Sequence, residues 1–439
     1  MNIKPKQIKK NLKKAIAEVV NESQKHVKNP EKDFCRNRKL PFEKVLTSVL
    51  AMSSKDLKCE LLDIFKYAET TPTVSAFVQQ RSKIKPSAFE TVFKKFTASI
   101  KARETFKGYR LIAVDGSYLR TPTNKDEINS YHPSRAGRRP YNIMHLNVLY
   151  DLKNHIYVDA IVQSGLKNHE RKAFNTMVDR DSSPIPTIYI ADRGYESYNV
   201  FAHIQEKNQF FLIRIKDVLS VKGIARGLDL PNHDEFDVCC DVNLTRKESL
   251  AKKEHTFKRF ARNGSLDYLP FLSESNSGVD SYHVPLRLVR IKISDDKYEI
   301  LATNLPQDSF SPDDLSALYV MRWGIETSFR SLKYTLGLIY FHSKKEENII
   351  QEVFAKLTMY NFSELITANV IIRKNRGKHI YKVNFSASVH ICRSFFLNNI
   401  SPNSVEAIIS KYVIPIRCFG SYPRIKKPKS SVCFLYRVA

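Results

Sequence analysis

Residues 108–122, GYRLIAVDGSYLRTP, decide the fold. Side chains along a strand alternate between its two faces, and in RLIAV neither face is polar beyond Arg110, so this reads as a strand buried on both sides. It runs straight into Asp115-Gly116-Ser117. The construction recurs at 185–195, IPTIYIADRGY, where a second apolar strand ends in Asp192-Arg193-Gly194. Between them, NIMHLNVLYDL (142–152) and HIYVDAIVQS (155–164) read as two further strands joined by the turn Lys153-Asn154, and HERKAFNTMVDR (169–180) as a helix. VFAHIQEKN (200–208) is a helix and QFFLIRIK (209–216) a fifth strand. Three strands followed by helix–strand–helix–strand make an α/β unit, a mixed sheet with flanking helices.

The acids in this unit carry the functional reading. Asp115 and Asp192 each stand where an apolar strand runs out, with glycine one or two positions on, so that the carboxylate has a fixed backbone and substrate can come close. Either aspartate alone would be an ordinary turn residue. Two on neighbouring strands repel unless a divalent cation lies between them. Oxygen ligands without histidine or cysteine favour Mg²⁺ or Mn²⁺ over zinc.

A third acid stands on a helix downstream. In 311–338, SPDDLSALYVMRWGIETSFRSLKYTLGL, Ser311-Pro312 and the pair Asp313/Asp314 form a helix start, and only Gly324 interrupts the pattern before Leu336. On an α-helix Tyr319, Arg322, Glu326 and Lys333 fall within an arc of roughly 60°. Met321, Ile325, Phe329, Leu332 and Leu336 make an apolar stripe beside them. The arc reads either as displayed chemistry or as a solvated face with an Arg–Glu pair.

The chain of 439 residues is long enough for two or three domains, and its net charge of +26 makes it an attractor of polyanions. The excess sits at the ends: twelve Lys/Arg against four Asp/Glu in 1–41, and thirteen against one in 371–439. Nucleic acid along an extended path fits this distribution. An anionic membrane surface is the rival, but there is no long apolar run and no signal peptide, so a cytoplasmic protein is expected. The seven cysteines are scattered without a C-x-x-C pair, and no nucleotide-binding glycine motif is present. Residues 1–107 read as helical. The short helix bracketed by Thr71-Pro72 and Lys85-Pro86 carries Gln79, Gln80, Arg81 and Lys83, side chains suited to base edges; a plain helical bundle is the alternative. Residues 217–305 alternate in short stretches (FDVCCDVNL, VPLRLVRIKI, YEILATNL) with turns at NGSLD and SDDK, and read as a mostly β insertion. A helix from about Glu347 to Lys374 precedes a basic segment ending in RIKKPKSSVCFLYRVA, either a docking element or a nucleic-acid arm.

Together these residues resemble bacterial insertion-sequence transposases of the DDE type, in the branch named insertion-sequence family four. The resemblance rests on the Tyr-x2-Arg-x3-Glu-x6-Lys signature at Tyr319, Arg322, Glu326 and Lys333. The strand–DGS and strand–ADRGY contexts, the order of the acids and the long β insertion agree with it, as do FCRNRKLPF and SAFVQQRSKIKPSAF near the start. It covers the chain to about residue 375. It implies an RNase H-like core whose Asp115, Asp192 and Glu326 hold two Mg²⁺ ions, with Mn²⁺ substituting, for cleavage at element ends and strand transfer into target DNA. Tyr319, Arg322 and Lys333 would clamp phosphates. Relatives hold a flipped base of a hairpin end against an aromatic from the insertion, commonly Trp. Spacing puts Tyr298 there, which also reads as a structural strand residue; the only tryptophan is Trp323, on the signature helix. Trp323, Arg193, Gln80, Arg81 and Lys83 complete the candidate DNA contacts.

The expected organisation is therefore a helical DNA-end-binding domain (1–107), a catalytic core in two parts (108–216 and 306–375) split by the β-rich insertion (217–305), and a basic C-terminal segment (376–439). The expected partners are double-stranded DNA, as terminal inverted repeats and target, and a second copy of the chain in a paired-end synapse. A nuclease or domesticated descendant, and a non-catalytic DNA-binding regulator, are the alternatives.

Overall fold

A computed structural model describes residues 3–416 except 37, 101–103, 135–138, 218–222, 247–257, 261–264, 269–280, 295–296 and 373–379. The basic segment beyond 416 and parts of the NGSLD and SDDK turns thus lie outside the described residues.

The centre is one mixed sheet. Strand β1 (Arg110–Thr121) pairs antiparallel with β3 (Tyr141–Asp151), whose outer edge is shared by β2 (Tyr131–His132) and β4 (Ile156–Ser164). On its other side β1 pairs parallel with β5 (Thr187–Ala191), and β5 parallel with β6 (Phe210–Ile215). The turn after β3 forms as read: the Asp151 carboxylate accepts the Lys153 and Asn154 N–H groups, each at 3.0 Å. Strands β7 (Phe236–Thr245), β9 (Ser281–Ser294) and β10 (Lys297–Thr303) continue the same sheet, because β10 pairs antiparallel with β6. The short strand β8 (Lys258–Phe260) lies parallel to β7.

Each face of the sheet has its own core, which is why β1 reads as a continuous apolar run. Leu111 and Ala113 face one core, with Ile188, Ile190 and the helices on that side. Ile112 and Val114 face the other, with Tyr189, Ala191 and the helices Glu170–Asp179 and Tyr198–Glu206, α6 and α7. The first face carries the N-terminal helices α1 to α5 (Pro5–Asn21, Phe42–Ala51, Leu57–Ile64, Val74–Arg81, Ser87–Ala98). They pack around the long helix Glu346–Thr367, which is buried nearly all round.

The stretch 311–338 is not one helix. Ser311 caps as expected, accepting the Asp314 N–H at 3.2 Å. The helix then runs as α8 (Pro312–Met321) and α9 (Trp323–Arg330), hinged at Arg322 rather than Gly324, and ends in a π-turn over Ser331–Thr335. The long helix α10 begins at Glu346 and ends at Thr367, short of the expected Lys374.

Candidate active site

Strand register points the two aspartates toward one level. The β1–β5 pairing runs from Arg110↔Thr187 to Ala113↔Ile190, and the same offset carried two residues past the last pair would set Asp115 opposite Asp192, which follows the end of β5. Parallel neighbours are about 4.8 Å apart, and side chains in register share a face. Asp115 follows Leu111 and Ala113, and Asp192 follows Ile188 and Ile190, so both belong to the face on which Ile325 of α9 packs. Helix α9 lies against β1 and carries Glu326.

Electrostatics agree with that placement. Burial pushes the Asp115 carboxyl up to about 6; the Gly116 N–H, donating at 2.7 Å, pulls it back, and the negative charges of Asp192 and Glu326 add to the rise. The three carboxylates are otherwise engaged one by one. Asp192 accepts the Gly194 N–H at 2.8 Å, and Glu326 lies 3.0 Å from the Arg322 guanidinium. Among the described residues no three acid, histidine or cysteine side chains stand close enough to enclose an ion as they are. The donors nevertheless fit a hard divalent cation: they are all carboxylate, and an ion would relieve the mutual repulsion that raises Asp115.

β1 does not end at Asp115. It continues to Thr121 against β3 and has lost only its parallel partner. The glycine after Asp115 has a different use from the close approach of substrate. A Cβ on Gly116 would stand 2.4 Å from His145 Cε1 and 3.3 Å from Glu170 Oε1, so the missing side chain makes room for a buried imidazole. His145 Nε2 is 2.9 Å from Glu170 Oε1. Neither residue is visible as a site residue in the sequence, since the contact joins β3 and α6 under β1. Among the described residues the buried hydroxyl of Tyr195 has no hydrogen-bond partner, and it lies within the field of Asp115, Glu170 and Asp192.

Of the signature residues, Lys333 reaches β1: its ammonium donates to Ser117 Oγ at 2.6 Å and to the Tyr118 carbonyl at 3.1 Å. Tyr319 and Arg322 are not displayed on a solvated face. Both are buried, the guanidinium carbon 5.6 Å from the Tyr319 ring centre and 5.3 Å from that of Trp323. Trp323 itself is exposed, as is Arg193. Tyr298 lies on β10 under the Arg290 guanidinium, 4.4 Å from ring centre to carbon, and beside a register shift at Lys297/Tyr298.

The N-terminal candidates divide. Lys83 and Gln80 are partly exposed, with the ammonium 3.2 Å from the amide oxygen. Arg81 is corrected: it is 1% exposed, 3.0 Å from Glu352, and bonded to Gln351 and the Asn348 carbonyl of α10. An arginine so enclosed cannot read a base edge. The polar run Gln79–Arg81 hid this because the groups that satisfy Arg81 come from far along the chain.

An aspartate on each of two parallel neighbours, with a glutamate helix packed against the first, is an arrangement open to acid-centred chemistry. The family profile described as "Transposase DDE domain" matches residues 106–362, more than half the chain, and the protein belongs to that family: it is a DDE transposase. It is similar to the transposase InsG for insertion sequence element IS4 of Escherichia coli strain K12, 23% identical over 341 residues, which are 74% of this chain and 70% of that one. Among solved structures it aligns with a cryo-EM structure of a piggyBac transposase synaptic complex with hairpin DNA, at 10% identity and a TM-score of 0.44, over 93% of this chain and 85% of that one. As a transposase it acts on DNA, and its family generally uses divalent metal ions. No helix among the described residues is long and apolar enough to cross a membrane.

Proposed function

We propose that Asp115, Asp192 and Glu326 are the catalytic acids of a cut-and-paste transposase with an RNase H-like core. The observation that supports this is the β1–β5 register, which, carried two residues past its last pair, would align Asp115 with Asp192 on the face where the Glu326 helix packs. The three carboxylates would hold two Mg²⁺ ions, or Mn²⁺ in their place. When bound, such ions activate an attacking oxygen and stabilise a leaving one at phosphorus.

The chain's own residues do the rest. Lys333, fixed by Ser117 Oγ and the Tyr118 carbonyl, holds a point of positive charge beside Asp115 for the phosphate at the cut. Arg322, half of an ion pair with Glu326, keeps that carboxylate aimed and gives it up when a phosphate competes. Tyr319 packs under the guanidinium and limits its rotamers. Water or a 3′-hydroxyl then displaces the 3′ oxygen of the scissile phosphodiester in line, without a covalent protein–DNA intermediate, and the freed 3′-hydroxyl attacks the opposite strand or target DNA.

Residues 1–107 are proposed to bind the terminal inverted repeats through Gln80 and Lys83, and 376–439 to contact DNA or a second copy. Arg193, Trp323 and Tyr298 are proposed as DNA contacts, Tyr298 against a flipped base. Two copies in a paired-end synapse complete this reading. The test is end cleavage by Asp115→Ala, Asp192→Ala and Glu326→Ala, each expected to be inactive. Wild-type cleavage by any one of them removes that residue from the site.

A further inference from the structure

On the face of β1 opposite to Asp115, an aromatic side chain is held out into solvent. Tyr118 is 55% exposed and lies three residues past Asp115, on the part of β1 that has lost its parallel partner. Its ring meets that of His145 edge-on, centroids 4.6 Å apart and planes at 71°. His145 is buried, sits opposite Tyr118 in the β1–β3 register, and is itself held 2.9 Å from Glu170. The Tyr118 hydroxyl accepts the Asn168 side-chain N–H at 3.3 Å, and its carbonyl accepts the Lys333 ammonium at 3.1 Å. A tyrosine fixed at ring, hydroxyl and backbone has given up its rotamer freedom before any partner arrives, which lowers the cost of binding one.

The next outward residue on the same face is Arg120, exposed, with its guanidinium carbon 5.3 Å from the centre of the Tyr141 ring. The other neighbour of Tyr141 is His132, stacked on it at 4.9 Å and 18°. Among the described residues no carboxylate pairs with Arg120. Tyr118 and Arg120 therefore offer a ring and a cation side by side on the α6 face of β1, while Asp115, Ser117 and the Lys333 ammonium stand on the other face of the same strand.

From this we infer that an unpaired stretch of DNA strand leaving the cut passes round the edge of β1 that is open beyond Ala113, with a base stacked on Tyr118 and a phosphate on Arg120. The inference rests on the reading that DNA is cut at Asp115. Duplex DNA would meet only the charges, since a ring face takes a base only when that base has left its stack. The strand could come from the element end or from its flank or target, and both present the same chemistry.

The test uses the full chain in EDTA and a DNA duplex with a five-nucleotide unpaired arm carrying 2-aminopurine, compared with the same duplex fully paired. Wild type is expected to bind the forked DNA more tightly and to quench the probe. Tyr118→Ala is expected to lose about tenfold on the fork, together with the quench, while changing less than about twofold on the paired duplex. Tyr118→Phe, which keeps the ring, is expected to retain both, and Arg120→Gln to lose affinity for the fork while still quenching at saturation. Forks with 3′ and 5′ arms identify which strand is held. Fork binding by Tyr118→Ala equal to wild type, or equal losses on fork and duplex, overturns the inference. Because nothing is cut in EDTA, a failed catalytic assignment at Asp115 would show in the cleavage assay and leave this preference unaltered.

Discussion

The Lys333 ammonium, on the π-turn after α9, donates to Ser117 Oγ at 2.6 Å, two residues beyond Asp115. This bond ties the turn after the Glu326 helix to the strand of Asp115, where the proposed reaction would meet substrate charge. Burial lowers the lysine's pKa, and the Asp115 charge partly restores it. Removing the charge with Lys333→Met is expected to slow end cleavage about tenfold to a hundredfold and to reduce the salt slope of DNA binding by about one ion. Ser117→Ala, which leaves the carbonyl partner, is expected to cost about fivefold or less. Cleavage rates and binding measured across a salt series check both.

Asp115 is expected to be a burden on the metal-free fold. Its carboxyl, raised to about 6 by burial and by Asp192 and Glu326, lies above its unfolded value, so the cost is absent below about pH 4, grows to about pH 6 and is complete above. Asp115→Asn should therefore stabilise the protein at pH 7 in EDTA by about 3 kcal/mol and give nothing at pH 4. Added Mg²⁺ should raise the melting temperature of wild type and leave that of the variant unchanged. Thermal melts at the two pH values read this directly.

Gly116→Ala puts a Cβ 2.4 Å from His145 Cε1 and is expected to cost about 1–3 kcal/mol. Combining it with His145→Ala should recover part of the loss, as a coupling of about 1 kcal/mol or more in a double-mutant cycle by denaturant unfolding. Simple additivity would show that the two residues do not share the space.

What the sequence could disclose follows the range of each interaction. The strands leading into Asp115 and Asp192 were legible because an apolar run followed by an acid is a local pattern, and the helix start at Ser311 because its cap is complete within three residues. The purpose of Gly116 was not, since His145 and Glu170 arrive from another strand and a helix. Arg81 was misread for the same reason: Glu352 is remote in sequence, and a polar triplet on a short helix reads as a surface. Tyr319 and Arg322 share an arc with Glu326, but the turn at Arg322 and the packing of α8 take them inside.

The Arg81–Glu352 pair gives a further expectation. Burial would raise the Glu352 carboxyl, but Arg81 and His342 outweigh it and hold it well below the usual range. Its contribution to stability is then full above its unfolded pKa near 4.5 and lost as pH falls below it. Glu352→Gln strands Arg81 without its counter-charge and is expected to cost about 3–5 kcal/mol at pH 7, with a flatter dependence between pH 5 and 3. Denaturant midpoints across that window check the sign.

The most direct measurement of the central claim is anomalous scattering from crystals of the protein with DNA grown in Mn²⁺. The account expects manganese peaks within coordination distance of Asp115, Asp192 and Glu326. Peaks on other residues, with these three carboxylates unliganded, would contradict it.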